Sequence, residues 1–487
     1  MRKGAVRLCA TIGNMNAAPA DVTVLRAMLD AQRAAFRKKN PSYDDRIRAL
    51  RALERAVIAR KVEIAKAISD EFGGRAPEET LSLELFPLVN EIRHAARSLK
   101  RWMEPRFAET PWQFWPARSQ VIYQPVGVVG ILAAWNYPLF LSFGPLAGAI
   151  AAGDHAMLKP SELAPRAAEF MAKIVAELYP PEYIAVVTGD GEKAAEFTHL
   201  PFDHILFTGS ERVGKEVMKA ASENLTPVTL ELGGKSPALI HSSYSIKTAA
   251  ARILAAKLYN AGQTCVAPDY VLLPRDRQTE FVDAAKEAVA GMYPRLAANP
   301  DYTHIVNARH YERLKNLVED ARRKGAGVVE MNPASEALDE SARVFPPTLL
   351  LNCSDEMTVM HEEIFGPVLP VMVYGTLDEA VEYINARPHP LSMYYFDNNR
   401  KRVRDVLART LAGGVTVNDC VLHVGQPNLP FGGIGPSGMG QYHGFDGFVT
   451  FSKKKGVFLQ SRWSPVSFLR PPYGPLARRI LKFLIGG

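Results

Sequence analysis

The chain has 487 residues, of which 47% are hydrophobic, enough for two or three domains with large cores. It carries 58 Lys and Arg against 51 Asp and Glu, a formal net charge of +7 without a dense basic tract, which argues against a nucleic-acid partner. Its four cysteines, Cys9, Cys265, Cys353 and Cys420, lie far apart with no CxxC or Cys/His spacing, which argues against a disulfide scaffold and a metal site.

Free thiols suit a reducing compartment, so a cytoplasmic location is expected. In Met1 to Asn16 an Arg at position 7 interrupts the apolar stretch, so no signal segment is expected, and Met15 is an alternative start. From about Asp21 to Glu104 the spacing predicts helices with many i, i+4 charge pairs. Pro105 and Pro111 end that region. Trp112 to Tyr123 then reads as extended, aromatic-rich chain, a candidate hairpin. No residue from Gln120 to Gly153 is charged, but Asn136, Pro138 and Pro145 break the run. A buried strand over Val126–Ala134, a tight loop and a buried helix fit it better than an uninterrupted membrane span of roughly 20 residues.

After Pro125 strand and helix alternate. Strands are predicted at Val126–Ala134, Ala156–Leu158, Ile184–Val187, His204–Phe207 and Val228–Leu230, with helices such as Pro165–Leu178 and Val213–Ser222 between them. This predicts a parallel sheet covered by helices on both faces. A second α/β set begins near Glu231, with strands Ser236–Ile240, Val271–Leu273, Val328–Val329 and Val368–Val373. Its helices are predicted at Ile246–Tyr259, Glu280–Ala290, Arg309–Lys324 and Leu377–Ala386.

Several short motifs carry chemistry. Cys265 ends Asn260-Ala-Gly-Gln-Thr-Cys265, between a helical segment and Pro268. A thiol at a loop–helix junction can have a lowered pKa and become nucleophilic, whereas a lone Cys is more often a small buried hydrophobe. Glu231 closes an apolar strand in Leu230-Glu-Leu-Gly-Gly-Lys235, where burial raises a carboxyl pKa toward that of a general base. The bland alternative is a solvated strand-end acid. Gly233 and Gly234 permit the sharp turn that would face Glu231 into a cleft. Asn136, in Trp135-Asn-Tyr-Pro138, is either an oxyanion donor or an ordinary turn residue. Lys159 and Glu162, in Lys159-Pro-Ser-Glu162, are placed for ribose hydroxyls, and Ser161 for a helix N-cap. Phe207-Thr-Gly-Ser-Glu-Arg-Val-Gly-Lys215 is a strand, a small-residue turn and a helix start, which can offer backbone N–H groups to a pyrophosphate.

Together with Glu363-Ile-Phe365-Gly-Pro and Pro430-Phe-Gly-Gly433, these motifs resemble, in order and over about Asp21 to Lys455, the aldehyde dehydrogenase superfamily. The resemblance implies a Rossmann-like parallel-sheet NAD domain, a second α/β catalytic domain and a small β oligomerisation extension. The expected division is 15–110 for the N-terminal helical part of the NAD-binding domain and 111–125 for an oligomerisation segment. It continues with 126–230 for the NAD-binding domain, 231–420 for the catalytic domain, and 421–487 for the return segment, oligomerisation strand and tail. It implies Cys265 as the nucleophile forming a thiohemiacetal and then a thioester, Asn136 with the Cys265 N–H as oxyanion donors, and Glu231 as the activator of water. Lys159, Glu162 and the turn Gly209, Ser210, Glu211, Arg212, Val213 and Gly214 would bind the adenosine and pyrophosphate. Glu363 and Phe365 would position the nicotinamide ribose and ring. Glu162 would repel a 2′-phosphate, which favours NAD, with NADP possible.

Gly438-Met-Gly-Gln-Tyr-His-Gly444 resembles the class 3 branch, commonly dimeric, and within it the bacterial coniferyl-aldehyde dehydrogenases. A bulky aromatic aldehyde is the substrate this implies, a fatty aldehyde the alternative, and a non-catalytic protein on the same fold the alternative of another class. Tyr137, Phe140, His443 and Phe448 are candidates for an apolar substrate entrance or for core packing. Ala477–Ile485 is too short to span a bilayer; it is expected to pack on its own homodimer, with weak peripheral lipid contact as the alternative.

Overall fold

The computed structural model describes residues 22–486. Cys9, the alternative start at Met15 and the beginning of segment 15–110 lie outside them. The predicted N-terminal helices are Val22–Lys38, Tyr43–Ala59, Lys61–Phe72 and Phe86–Met103. Tyr43–Ala59 begins with a capping box: Ser42 Oγ accepts from the Asp45 N–H at 3.2 Å, and the Asp45 carboxylate accepts from the Ser42 N–H at 3.0 Å.

These helices pack on a six-stranded sheet. Its order is Gly438–Met439, Val228–Glu231, His204–Thr208, Val128–Leu132, His155–Lys159, Ile184–Val186, parallel except for the first. Val128–Leu132 is buried along its whole length, as expected of a central parallel strand covered on both faces. The uncharged stretch supplies this strand and the helix Pro138–Ala152, every residue of which is buried. Among the described residues no helix is long and apolar enough to cross a membrane.

The second sheet has seven strands in the order Gly327–Glu330, Thr348–Leu351, Val368–Tyr374, Tyr270–Pro274, Pro237–Ile240, Ser392–Phe396, Gly414–Val417. Thr348–Leu351, Ser392–Phe396 and Gly414–Val417 escape the sequence pattern. A third, three-stranded antiparallel sheet places Arg118–Pro125 between Arg106–Ala108 and Ser452–Leu459. The segment Trp112–Tyr123 is therefore not one extended run: Trp112–Phe114 is a single 3-10 turn, and the hairpin partner is Arg106–Ala108. The predicted tail is the helix Pro475–Ile485, anchored by buried Ala477 and an edge contact between Phe483 and Trp112.

Candidate active site

The site grows from the carboxyl ends of the first sheet, where parallel α/β folds bind ligands. Register puts Lys159 beside Leu132, Leu132 beside Phe207, and Thr208 beside Glu231. The chain leaves the Glu231 strand through Gly233 and Gly234 and enters the second sheet at Pro237. Gly234 has φ +145°, and a Cβ on Gly233 would lie 2.1 Å from Glu363 Oε2, so both positions need glycine. Lys235 clamps the crossing: its Nζ donates to Asp269 and to the carbonyls of Val359 (2.7 Å) and Glu362 (3.1 Å).

Cys265, Glu231, Asn136, Gly209, Ser210, Glu363 and Phe365 line one cavity of about 220 Å³. Lys159, Glu162, Gly209, Ser210, Arg212 and Val213 line a larger cleft of about 1050 Å³. The two share Trp135, Thr208, Gly209, Ser210, His310 and Arg313. The thiol therefore lies beside the nucleotide-like cleft, and the residues predicted from separate motifs meet.

Cys265 keeps partial access to the small cavity. It does not sit at a loop–helix junction. A 3-10 turn, Tyr259–Gly262, precedes it, and the strand Tyr270–Pro274 is the next regular element. Its thiol pKa is raised rather than lowered, up to about 12. Burial is the main cause, the Glu363 and Glu231 carboxyls add to it, and the N–H groups of Cys265 and Val266 oppose it. The expectation of a lowered pKa fails because the sulfur is desolvated, and the two nearby carboxyls add to the rise.

Glu231 is 2% exposed, and neither carboxyl oxygen has a partner among the described residues. Burial pushes its pKa well above the ordinary carboxylate range. Glu363 is raised to about 8 by burial and then by Asp269, with the Gly234 N–H, Lys235 and Arg313 acting against it. Phe365 adopts φ +50° and meets Trp135 edge-on at 5.4 Å. Asn136 Nδ2 donates to the Gln263 carbonyl at 3.1 Å. An amide nitrogen carries two protons, so a second donor remains.

In the larger cleft, Lys159 is buried with Nζ donating to the carbonyls of Pro160 (3.0 Å) and Gly189 (2.9 Å). Ser210 caps the helix Glu211–Ser222, its Oγ accepting from the Val213 N–H at 3.4 Å. The Gly209 N–H donates to the Glu231 carbonyl and the Gly214 N–H to the Ser210 carbonyl, so neither is offered to a ligand. The first-turn amides of Glu211 and Arg212 are the ones without intrahelical acceptors by position. Their side chains instead form exposed ion pairs, Glu211 with Lys215 and Arg212 with Glu216. The cleft fits an extended dinucleotide. It reaches a helix N-terminus and meets the small cavity at the buried Thr208, whose Oγ1 has no partner among the described residues; Glu363 Oε1, likewise unpartnered, lines the small cavity beyond.

Of the four entrance candidates, Phe448 is core, packed on Trp102, Tyr123 and Phe445. Phe140 and His443 face each other at 5.6 Å, and Tyr137 Oη lies 2.7 Å from Thr264 Oγ1. Two lining residues were not foreseen: His310, packed on Trp135 at 5.1 Å, and Arg313, which donates to the Glu363 and Ile364 carbonyls. A His and an Arg three apart on a helix look like any solvated face, so no local signal marks them.

Residues 9–457 match the model of the aldehyde dehydrogenase family. The chain is 44% identical to the coniferyl aldehyde dehydrogenase of Pseudomonas sp. strain HR199 over 98% of its own length and 99% of that protein's. Its fold matches the substrate-bound state of Staphylococcus aureus AldH with TM-score 0.88 and 38% identity, covering 94% and 99% of the two chains. It also matches Mycobacterium tuberculosis aldehyde dehydrogenase complexed with NAD+ with TM-score 0.83 and 28% identity, covering 92% of each.

Proposed function

The chain belongs to the aldehyde dehydrogenase family, and we propose that it oxidises a bulky aromatic aldehyde, coniferyl aldehyde or a close analogue, to the carboxylic acid with NAD. The reading rests on one observation: Cys265, Glu231 and Glu363 line a cavity that shares its walls with a dinucleotide-sized cleft. The substrate class is supported by the nearly full-length likeness to a coniferyl aldehyde dehydrogenase.

In this reading ionised Glu231 takes the Cys265 thiol proton and releases it to solvent, and Sγ bonds to the aldehyde carbon as the carbonyl electron pair moves to oxygen. The second Asn136 amide proton and the Cys265 N–H hold the oxyanion. Bound NAD supplies the hydride acceptor that turns this thiohemiacetal into a thioester. Glu231 then takes a proton from water, the hydroxide adds to the acyl carbon, the C–S bond breaks and the acid leaves. Both duties fall to the ionised form of Glu231: its two carboxyl oxygens have no partner among the described residues, so no other group there competes for them, and burial, which favours the neutral form, makes the carboxylate a strong base when it forms.

Lys159 and Glu162 would hold the adenosine ribose, the first-turn amides of Glu211 and Arg212 the pyrophosphate, with Gly209 and Ser210 shaping the turn, and Glu363 and Phe365 the nicotinamide ribose and ring. We assign 126–230 to NAD binding, 231–420 to catalysis, and 111–125 with 421–487 to oligomerisation and the return of the chain; of 15–110, the strand Arg106–Ala108 pairs with Arg118–Pro125 and goes with the oligomerisation sheet. We place the enzyme in the cytoplasm as a homodimer. Support for pairing is the exposed Ser452–Leu459 edge strand, where Phe458 and Leu459 stand nearly half exposed. Steady-state NADH formation with coniferaldehyde, benzaldehyde, hexanal and decanal tests the reading. The expected result is the highest kcat/KM with coniferaldehyde. Preference for decanal would overturn the substrate class, and no NAD reduction with any aldehyde would overturn the catalytic reading.

A further inference from the structure

We propose that Arg75 is a positioning residue for this reaction, and that the buried triad Arg75–Glu79–Glu84 sets the spacing between the two oxyanion donors. This rests on the reading of Asn136 and the Cys265 N–H as those donors. Arg75 is 2% exposed, and its side chain is wholly enclosed. Its guanidinium lies 4.9 Å from the Tyr137 ring centroid and 5.4 Å from that of Phe72. NH1 donates to Glu84 Oε1 at 3.0 Å and to the Asn136 carbonyl at 3.2 Å; Nε stands 3.8 Å from Glu79 Oε2.

Each acid then fastens a different wall. Glu84 Oε2 accepts from the Leu139 and Phe140 N–H groups at 2.8 and 3.2 Å, fixing the helix start that follows Asn136. Glu79 accepts from the Asn260 N–H and the Thr303 hydroxyl. Asn260 and Ala261 have φ of 52° and 50°, a left-handed conformation that non-glycine residues hold only when the surroundings impose it. That turn delivers Cys265. Asn260 Nδ2 closes the ring, donating to the carbonyls of Asn136 (3.0 Å) and Gln263 (3.1 Å). Asn136 is thus gripped at its carbonyl by Arg75 and at its amide by Gln263, and the Cys265 turn is gripped by Glu79.

Polar side chains enclosed as Arg75 and Glu84 are cost several kcal/mol unless paired and oriented, so such a cluster adds little as mere cement. Arg75 touches neither the thiol nor the cavity. It acts through Asn136.

The test is a double-mutant cycle on the full-length enzyme with NAD and coniferaldehyde. Arg75→Lys keeps the buried charge but loses the planar fork, and Arg75→Met loses both. We expect kcat to fall about tenfold in Arg75→Lys and about a hundredfold in Arg75→Met, with the aldehyde KM and the NAD Kd within about twofold of the parent. In an Asn136→Ala background Arg75→Lys should cost less than about twofold more, because the group it positions is gone. A cost undiminished in that background, or a loss confined to KM, overturns the positioning role while leaving the oxyanion reading intact. An Asn136→Ala enzyme with unchanged kcat overturns the oxyanion reading itself. Should Arg75→Met fail to fold, Arg75→Lys decides the matter alone.

Discussion

The two cavities that meet at Thr208 are built on opposite principles. The larger cleft is a recognition surface. Glu162 is exposed, the side chains of Glu211 and Arg212 are solvated and paired, and the ligand-facing groups are those of a helix N-terminus. The smaller cavity stores reactivity. Cys265, Glu231 and Glu363 are all pushed by burial toward their neutral forms, and Glu231 has no partner at all among the described residues. Recognition spread over many weak contacts tolerates single losses, whereas chemistry concentrated in two or three desolvated groups does not.

That contrast is most directly broken at the sulfur. Cys265→Ala should lower turnover by on the order of 10⁴-fold or more, because no other thiol or hydroxyl is proposed to form the acyl bond. NAD affinity, measured by fluorescence titration, should move less than about threefold. A variant whose NAD Kd weakens as much as its kcat would show that the two cavities are one functional unit. Next in size, Glu231→Gln should slow steady-state turnover by about 10² to 10³-fold. Its first-turnover burst of NADH should be affected less than the later rate, since the amide cannot take a proton from water. An unchanged burst together with an unchanged steady state would remove Glu231 from the mechanism.

The raised pKa values give a third effect of fixed sign. At neutral pH the acid forms of Glu363 and Cys265 dominate in the unliganded site, and burial shifts Glu231 in the same direction, so kcat/KM should climb with pH, approaching about tenfold per unit below pH 8. A plateau already reached at pH 6 would contradict the burial argument. The same shifts act on folding. Glu363 titrates near 4.5 unfolded and about 8 folded, so the folded state holds the extra proton between those values. Its stabilising contribution is full below about pH 4.5 and is lost as pH rises through about 8. Glu363→Gln, which cannot titrate, should therefore show a smaller fall in Tm between pH 5 and 8 than the parent enzyme.

The legibility of the two cavities in the sequence also differs. The large cleft is written in local patterns: apolar runs such as Val128–Leu132 and the strand–turn–helix from His204 to Ser222 fix its walls from a dozen neighbouring residues. The smaller cavity depends on contacts that no window contains. The strand Gly438–Met439 returns to pair with Leu230 and Glu231, and Glu363 closes on Gly233 from the far side of the second sheet. The motifs that carry Cys265, Glu231 and Asn136 are distinctive in sequence, which is why these residues can be singled out before the fold brings them together. The direction of the Cys265 shift is not legible there, since it depends first on burial by the folded chain and then on two acids distant in sequence. Arg75 drew no notice for the same reason. An arginine followed by two glutamates in a helical stretch reads as a solvated face, and only the fold buries it against Asn136.

The smallest effect belongs to the open cleft and tests its character best. Glu162 is exposed at the rim, so its repulsion of a 2′-phosphate acts through water and counter-ions and is worth well under 1 kcal/mol at ordinary ionic strength. Glu162→Gln should raise kcat/KM with NADP about two- to threefold and change that with NAD less than about twofold. Because the interaction is screened, the gain should shrink as salt increases. A gain of a hundredfold that persists in high salt would mean that Glu162 becomes desolvated when the nucleotide binds. The cleft would then resemble the small cavity in closing around its ligand, and the contrast between a surface that recognises and a chamber that reacts would no longer hold.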